Sequence, residues 1–291
     1  MKRTMKRRLF AAGRFFLLGI ALFVVGFPMY WMLITSFKPD HEWFTWPPVY
    51  WSENWTLDNY RVVWAGIGIK PTAQEATTMQ KPVQALKHSL ALSLISTTLS
   101  VAFGTLVAYG VSRYQILSDR RMFNLLMLRM VPPIVVAAPL TLYYSTLQLL
   151  DTLTGLVIVY VLTTLPYSIW MTKSFLDEIP REMEQAASIL GAGRWRTIWE
   201  VIFPLIRSGV VATFLFILIL TWSEYLLALI LSKVDVVTLP VQLSKYEGTT
   251  EGRVYGYQAA LAVGVTLPLI VIGCFIRKHL VRGFSFGMIK R

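Results

Sequence analysis

The side chains best able to hold a metal or attack a substrate are few and scattered in this chain. His41, His88 and His279 lie far apart, and Cys274 is the single cysteine. Zinc sites need Cys or His ligands at short, recurring spacings, and no such cluster exists. There is no Gly-x-x-x-x-Gly-Lys-Ser/Thr loop to cradle phosphates, and no convergent set of nucleophile, base and metal ligand. One thiol makes no intrachain disulfide, so the redox compartment stays open. The residues that invite a chemical reading are two charges in apolar surroundings, Arg129 and Glu224, and one charged, glycine-split segment, EMEQAASILGAGRWRTIWEVIFP, at 182–204.

The elements that must position them are membrane helices. The 291 residues are 55% hydrophobic and only 15% charged, with a mean hydropathy of +0.54, too apolar for an ordinary soluble domain. Six stretches, 15–36, 88–111, 123–147, 154–175, 208–231 and 257–276, approach the ~20 residues that a hydrocarbon core requires. The sequence therefore predicts an all-α, polytopic membrane protein: a basic tail over 1–14, a six-span domain over 15–276 and a second tail over 277–291. The first apolar run lacks a small-residue cleavage site and continues into Pro28, Tyr30 and Trp31, so an uncleaved first span is expected.

A net charge of +12 would suit nucleic acid, but its distribution argues otherwise. With the N-terminus inside, 19 of the 28 Lys and Arg fall on cytosolic segments, as the positive-inside rule requires. The basic excess then reports orientation and contact with membrane lipid, with no nucleic-acid partner and both termini in the cytosol. On the other face, 37–85 is rich in Pro and Trp, as suits an interfacial anchoring loop or a contact surface for an external partner. Within it, Thr56 is an expected N-cap for a short helix over TLDNYRVVWAG.

A charge inside a span is costly and marks function by default. At helical rise, Arg129 lies ~12 Å in from the cytosolic end of span three and Glu224 ~24 Å up span five. That mismatch argues against a direct pair. Arg129 either snorkels, pairs with another subunit or lines a solute path. Glu224 either makes an interhelical hydrogen bond or faces a ligand together with Trp222 and Tyr225. Prolines at 132, 133, 139, 166 and 268 are expected to interrupt spans three, four and six, favouring a bundle that changes shape.

Segment 182–204 falls between spans four and five, on the cytosolic face. Pro180 at a first helical position, after Asp177 and Glu178, predicts a helix start. Met183, Ala186, Ala187 and Leu190 recur at helical spacing, and Gly191 predicts a left-handed C-cap. A second helix with Trp195, Ile198, Trp199 and Ile202 is expected to end near Pro204. The result is a two-helix elbow under the membrane.

This segment resembles the EAA loop of ABC importer permeases: Glu-Ala-Ala, three residues, Gly, nine residues, then Ile-x-Leu-Pro. Gln185, Ala186 and Ala187 occupy the first three positions, Gly191 the glycine, and Val201, Phe203 and Pro204 the last group. Gln185 replaces the glutamate, and Glu184 offers a carboxylate about 100° away around the helix, so no salt bridge is carried over to 185. SFKP, TLDNY, RMVPPIVVAAPL, LPYSIW, TWSEYLLAL and RGFSFGMIKR extend the resemblance to the carbohydrate-uptake, MalG-like branch, with Ser223 where Asn is common.

The resemblance implies half of a translocation pathway in an inner membrane, with several partners. These are a second permease subunit, two cytosolic ATPases that bind ATP and Mg, and a periplasmic solute-binding protein. It implies no cofactor and no catalysis in this chain. Glu184, Gln185, Ala186, Ala187, Leu190, Gly191 and Pro204, within a loop over 176–207, would couple to the ATPase. The competing reading is an ion-coupled secondary transporter, which would lack a docking elbow and often shows repeated halves.

Overall fold

Only helices and connections occur among the residues described, 2–66, 82–127, 130–245 and 254–286, of this computed structural model. In chain order the main helices are α1 (Lys2–Thr35), α2 (Pro82–Tyr114), α3 (Asp119–Met127), α4 (Pro133–Thr146), α5 (Leu153–Asp177), α6 (Glu182–Ile189), α7 (Phe203–Trp222), α8 (Leu226–Leu231) and α9 (Tyr255–Phe286). Among the described residues, five helical stretches are long and apolar enough to cross a membrane: Ala12–Thr35, Pro82–Tyr114, Leu153–Asp177, Arg194–Trp222 and Tyr255–Phe275. α1 already begins at Lys2, within the expected basic tail.

The remaining expected span, 123–147, is two shorter helices, α3 and α4. Pro132 carries an extended ψ of 128°, and Pro133 opens α4. A proline disfavours helix in the residue before it and lacks an N–H, so Pro-Pro ends one helix and starts another. Pro139, Pro166 and Pro268, expected to interrupt their spans, instead lie inside continuous helices.

The chain forms two compact units, 1–82 with 243–266 and 83–242 with 267–291. In the first, two sequence motifs prove to be each other's partners. Asn59 of TLDNY donates through Nδ2 to the carbonyls of Ser36 (3.0 Å) and Lys38 (2.8 Å), and Tyr60 Oη lies 2.8 Å from Ser36 Oγ. The expected short helix has Leu57 at its N-cap, one residue after the expected Thr56, whose Oγ1 accepts from the Asp58 amide, and it ends at Gly66 with φ +66°. Two loop tryptophans seat on glycines of α9. A Cβ on Gly256 would lie 2.2 Å from the Trp43 ring, and one on Gly264 2.2 Å from Trp64.

In the second unit, α5 packs along α7, and both meet α2. Lipid offers no hydrophobic drive for helix association, so close approach and hydrogen bonds hold such bundles. Gly104 of α2 faces Ser168 of α5, and Gly209 of α7 faces the Phe175 ring; a Cβ at either position would clash at 2.2–2.3 Å. Thr97 and Thr221 hydroxyls sit 3.0 Å apart, and Thr164 Oγ1 donates to Ser100 Oγ at 3.0 Å.

Candidate functional site

The elbow is built by local signals. α6 ends in a Schellman motif: the Gly191 amide donates to Ser188 O (3.0 Å) and the Ala192 amide to Ala187 O (3.0 Å). Gly191 has φ +80°, a conformation that glycine takes without steric cost. The start differs from expectation. α6 begins at Glu182, while Asp177 and Glu178 close α5. There Asp177 accepts from Lys173 Nζ (2.6 Å) and Ser112 Oγ (2.5 Å).

The second arm also departs from its predicted end. Arg194–Arg196 leads through a π-helical turn, Thr197–Ile202, straight into α7. Pro204 therefore sits in the first turn of α7, where its missing N–H matters little after a turn bonded i to i+5. The elbow's second arm and the fifth span are one continuous rod.

Its tip is apolar and open. Ile189 and Leu190 are 86% and 87% exposed, and Met183 is exposed beside them. Gln185 and Ala186 are exposed and Ala187 is buried. Glu184 turns the other way: it forms an ion pair with Arg113 Nε at the end of α2 and accepts a 2.9 Å hydrogen bond from Tyr109 Oη. These side chains are nearly enclosed, with Arg113 7% and Glu184 19% exposed. Arg113 Nη2 also donates to Ile179 O (3.2 Å), and Arg181 Nη2 donates to Ser112 O (3.4 Å). Glu184, expected in the coupling surface, thus anchors that surface to its own subunit. Neither Arg113 nor Tyr109 was marked by sequence reasoning. The signal available was Arg113's place in a short basic loop, but nothing linked it to a residue 71 positions on.

The pathway candidates are not brought together as a ligand-stacking set. α7 stops at Trp222 and α8 restarts at Leu226, leaving Ser223–Tyr225 outside helix. Trp222 is buried and Tyr225 is exposed. Glu224 Oε1 accepts from the Leu227 amide at 3.1 Å, and its carbonyl accepts from Tyr160 Oη at 3.3 Å. Its carboxylate therefore caps α8, satisfying a helix-start amide. Arg129 lies outside the described residues.

A further anchor was missed. Asp151, at φ +56° in the turn before α5, accepts four backbone amides, from Lys233, Val234, Asp235 and Val236, at 2.8–3.1 Å. Burial pushes its carboxyl pKa up, but these four donors outweigh that and hold it at about 2.

A bundle of long apolar helices, one of them continuous with an apolar-tipped elbow, defines a polytopic membrane component. Residues 100–286 match the family described as binding-protein-dependent transport system inner membrane component, and the chain belongs to that family. It is 30% identical over 292 residues to the inner membrane ABC transporter permease protein YcjP of Escherichia coli, covering 99% of this chain and 98% of that one. It is 28% identical, over 99% of both chains, to the trehalose/maltose transport system permease protein MalG of Thermococcus litoralis. In fold it resembles a chain of a bacterial ABC transporter involved in the import of the acidic polysaccharide alginate, with a TM-score of 0.75 at 19% identity over 94% of this chain and 97% of that one. The protein is accordingly a multi-pass inner-membrane permease, not an enzyme. It works with a partner permease, an ATPase and a binding protein. Membership sets aside the ion-coupled reading.

Proposed function

We propose that this chain forms half of the translocation pathway for a carbohydrate or carbohydrate derivative. In this reading it pairs with a different permease subunit, and two cytosolic ATPases holding ATP and Mg drive the pair. The tails at 1–14 and 277–291 lie in the cytosol, and 15–276 forms the transmembrane domain. The supporting observation is the elbow within 176–207. Ile189 and Leu190 project from a glycine-closed turn, while the Glu184–Arg113 pair fixes that turn to α2. Such a tip suits insertion into a cleft on an ATPase. A displacement there reaches the spans directly, because the second arm continues into α7. The sugar assignment draws on relatives such as the trehalose/maltose permease.

The test is reconstitution of this chain with its partner permease and ATPase in liposomes. ATP-dependent uptake of trehalose or maltose delivered by the binding protein is expected. Gly191→Val, whose β-branched side chain resists the left-handed backbone of the turn, is expected to reduce uptake while the two permeases still assemble. Uptake by this chain without the ATPase, driven by an ion gradient, would overturn the proposal.

A further inference from the structure

The first unit holds a cavity of about 400 Å³ between the end of α1, the turn at 38–43 and the first turns of α9. That volume lies within the range of small-molecule sites. Three rings, Trp31, Trp43 and Tyr255, line it together with Thr35, Glu42 and Gln258. Two of its lining residues carry buried oxygens with no hydrogen-bond partner among the described residues, Glu42 Oε2 and Thr35 Oγ1. The Glu42 side chain is only 10% exposed, and a buried acceptor left unpaired is unfavourable until a donor reaches it.

The walls are fixed in place. Trp43 Nε1 donates to Lys38 O at 3.1 Å, and the Trp43 ring fills the notch at Gly256. Lys38, itself buried, donates to Val49 O and lies 4.1 Å above the Trp31 ring. The site is thus pre-formed, which lowers the ordering that binding must overcome. Its chemistry selects the ligand. Unpaired oxygens call for hydroxyl or amine donors, and aromatic rings call for an apolar face. The Glu42 carboxylate disfavours anions, and the Lys38 ammonium disfavours cations. A neutral polyhydroxylated ring meets all four demands.

We propose that this cavity is a binding subsite for a neutral sugar ring, with Glu42 and Thr35 accepting from its hydroxyls. The assignment rests on the carbohydrate reading above and extends it to a site lined by residues of the first unit alone. Its test uses the full complex in phosphatidylethanolamine-containing nanodiscs, without binding protein, and saturation-transfer NMR with maltose and trehalose as probes. Saturation is expected to pass from protein aromatic protons to ring protons of a transported sugar. Glu42→Ala and Gln258→Ala, on different elements, are each expected to weaken that binding about tenfold. Assembly of the complex and its thermal unfolding in detergent should match the wild type in both, which reports intact folding. Equal affinity in wild type and both variants, or no transfer to a sugar that the same complex takes up, overturns the subsite and leaves the permease reading standing. Transfer confined to lipid headgroup protons and lost in Glu42→Ala assigns the cavity to a zwitterionic lipid and overturns it equally. Absence of ATP-dependent uptake of both sugars by the wild-type complex would instead strike the carbohydrate reading, and the subsite with it.

Discussion

Removing the Glu184 carboxylate isolates what holds the elbow in place. In Glu184→Ala, Arg113 keeps one long bond, to Ile179 O at 3.2 Å, and Tyr109 loses its acceptor. The Arg113 side chain is 7% exposed, so water compensates poorly. Breaking a buried pair by deleting one partner costs about 3–5 kcal/mol, and the partial exposure of Glu184 places this one at the lower end, about 3 kcal/mol. The loss falls on docking of α6 against α2, since α5 and α7 keep their own close packing. At about 1.4 kcal/mol per factor of ten, local opening of α6 should rise on the order of a hundredfold. Hydrogen exchange of the reconstituted complex, followed by mass spectrometry over 182–192, reads this directly. Exchange in that segment should accelerate by about that factor while α5 and α7 stay protected, and sugar moved per ATP hydrolysed should fall. Arg113→Ala should resemble it, and the double variant should be little worse than either single one. Unchanged exchange over 182–192 in Glu184→Ala would refute the clamp.

Gly191→Val should cost about 1–2 kcal/mol at the elbow, because a β-branched residue resists φ +80°, whereas Gly191→Asn should be tolerated; uptake assays of the pair separate backbone strain from side-chain bulk, for which the site has open space. Glu224→Ala should cost about 1 kcal/mol through loss of the α8 cap, while Glu224→Gln, which keeps an acceptor for the Leu227 amide, should transport normally; loss of transport in Glu224→Gln would show that the charge itself is needed. For Asp151 the folded pKa, about 2, lies below the ordinary 3.8, so its contribution is complete above pH 4 and is lost as pH falls through 2. Thermal unfolding in detergent should accordingly be flat with pH above 5 on its account, and Asp151→Asn should lower stability at neutral pH by about 1–3 kcal/mol because its amide cannot satisfy four donors.

What was legible in the sequence were features written locally. Gly191 announces its C-cap because left-handed backbone is a property of one residue, and the Pro-Pro pair carries its break within two. Apolar length gives the long helices for the same reason. Pro204 misled because its consequence depends on the turn before it: a π-helical turn at Thr197–Ile202 lets the helix pass through a residue that normally stops one. The site's anchors were illegible because each joins segments far apart in the chain. Glu184 meets Arg113, Asp151 meets the strip after α8, and Asn59 meets the SFKP carbonyls. Glu224 was readable as a charge inside a span, but its acceptance from an amide three residues on appears only once the helix has broken at Ser223.

The same contacts determine how far a push on the elbow can travel. α6 is pinned to α2 by a nearly enclosed ion pair, and its second arm is continuous with α7. α2 and α7 each meet α5 at a glycine where no Cβ fits, Gly104 against Ser168 and Gly209 against Phe175. Close-packed contacts of this kind resist sliding, because any shift in register must separate the helices first. A displacement at Leu190 is therefore shared among three helices and cannot be absorbed by bending one. The rod ends at Trp222, and Ser223–Tyr225 lie outside helix before α8 resumes. There the Glu224 carboxylate holds the first turn of α8 by accepting from the Leu227 amide. A rigid lever closed by a short non-helical joint concentrates conformational change at the joint, which gives Glu224 a reason to matter for transport through geometry, without contact to the solute.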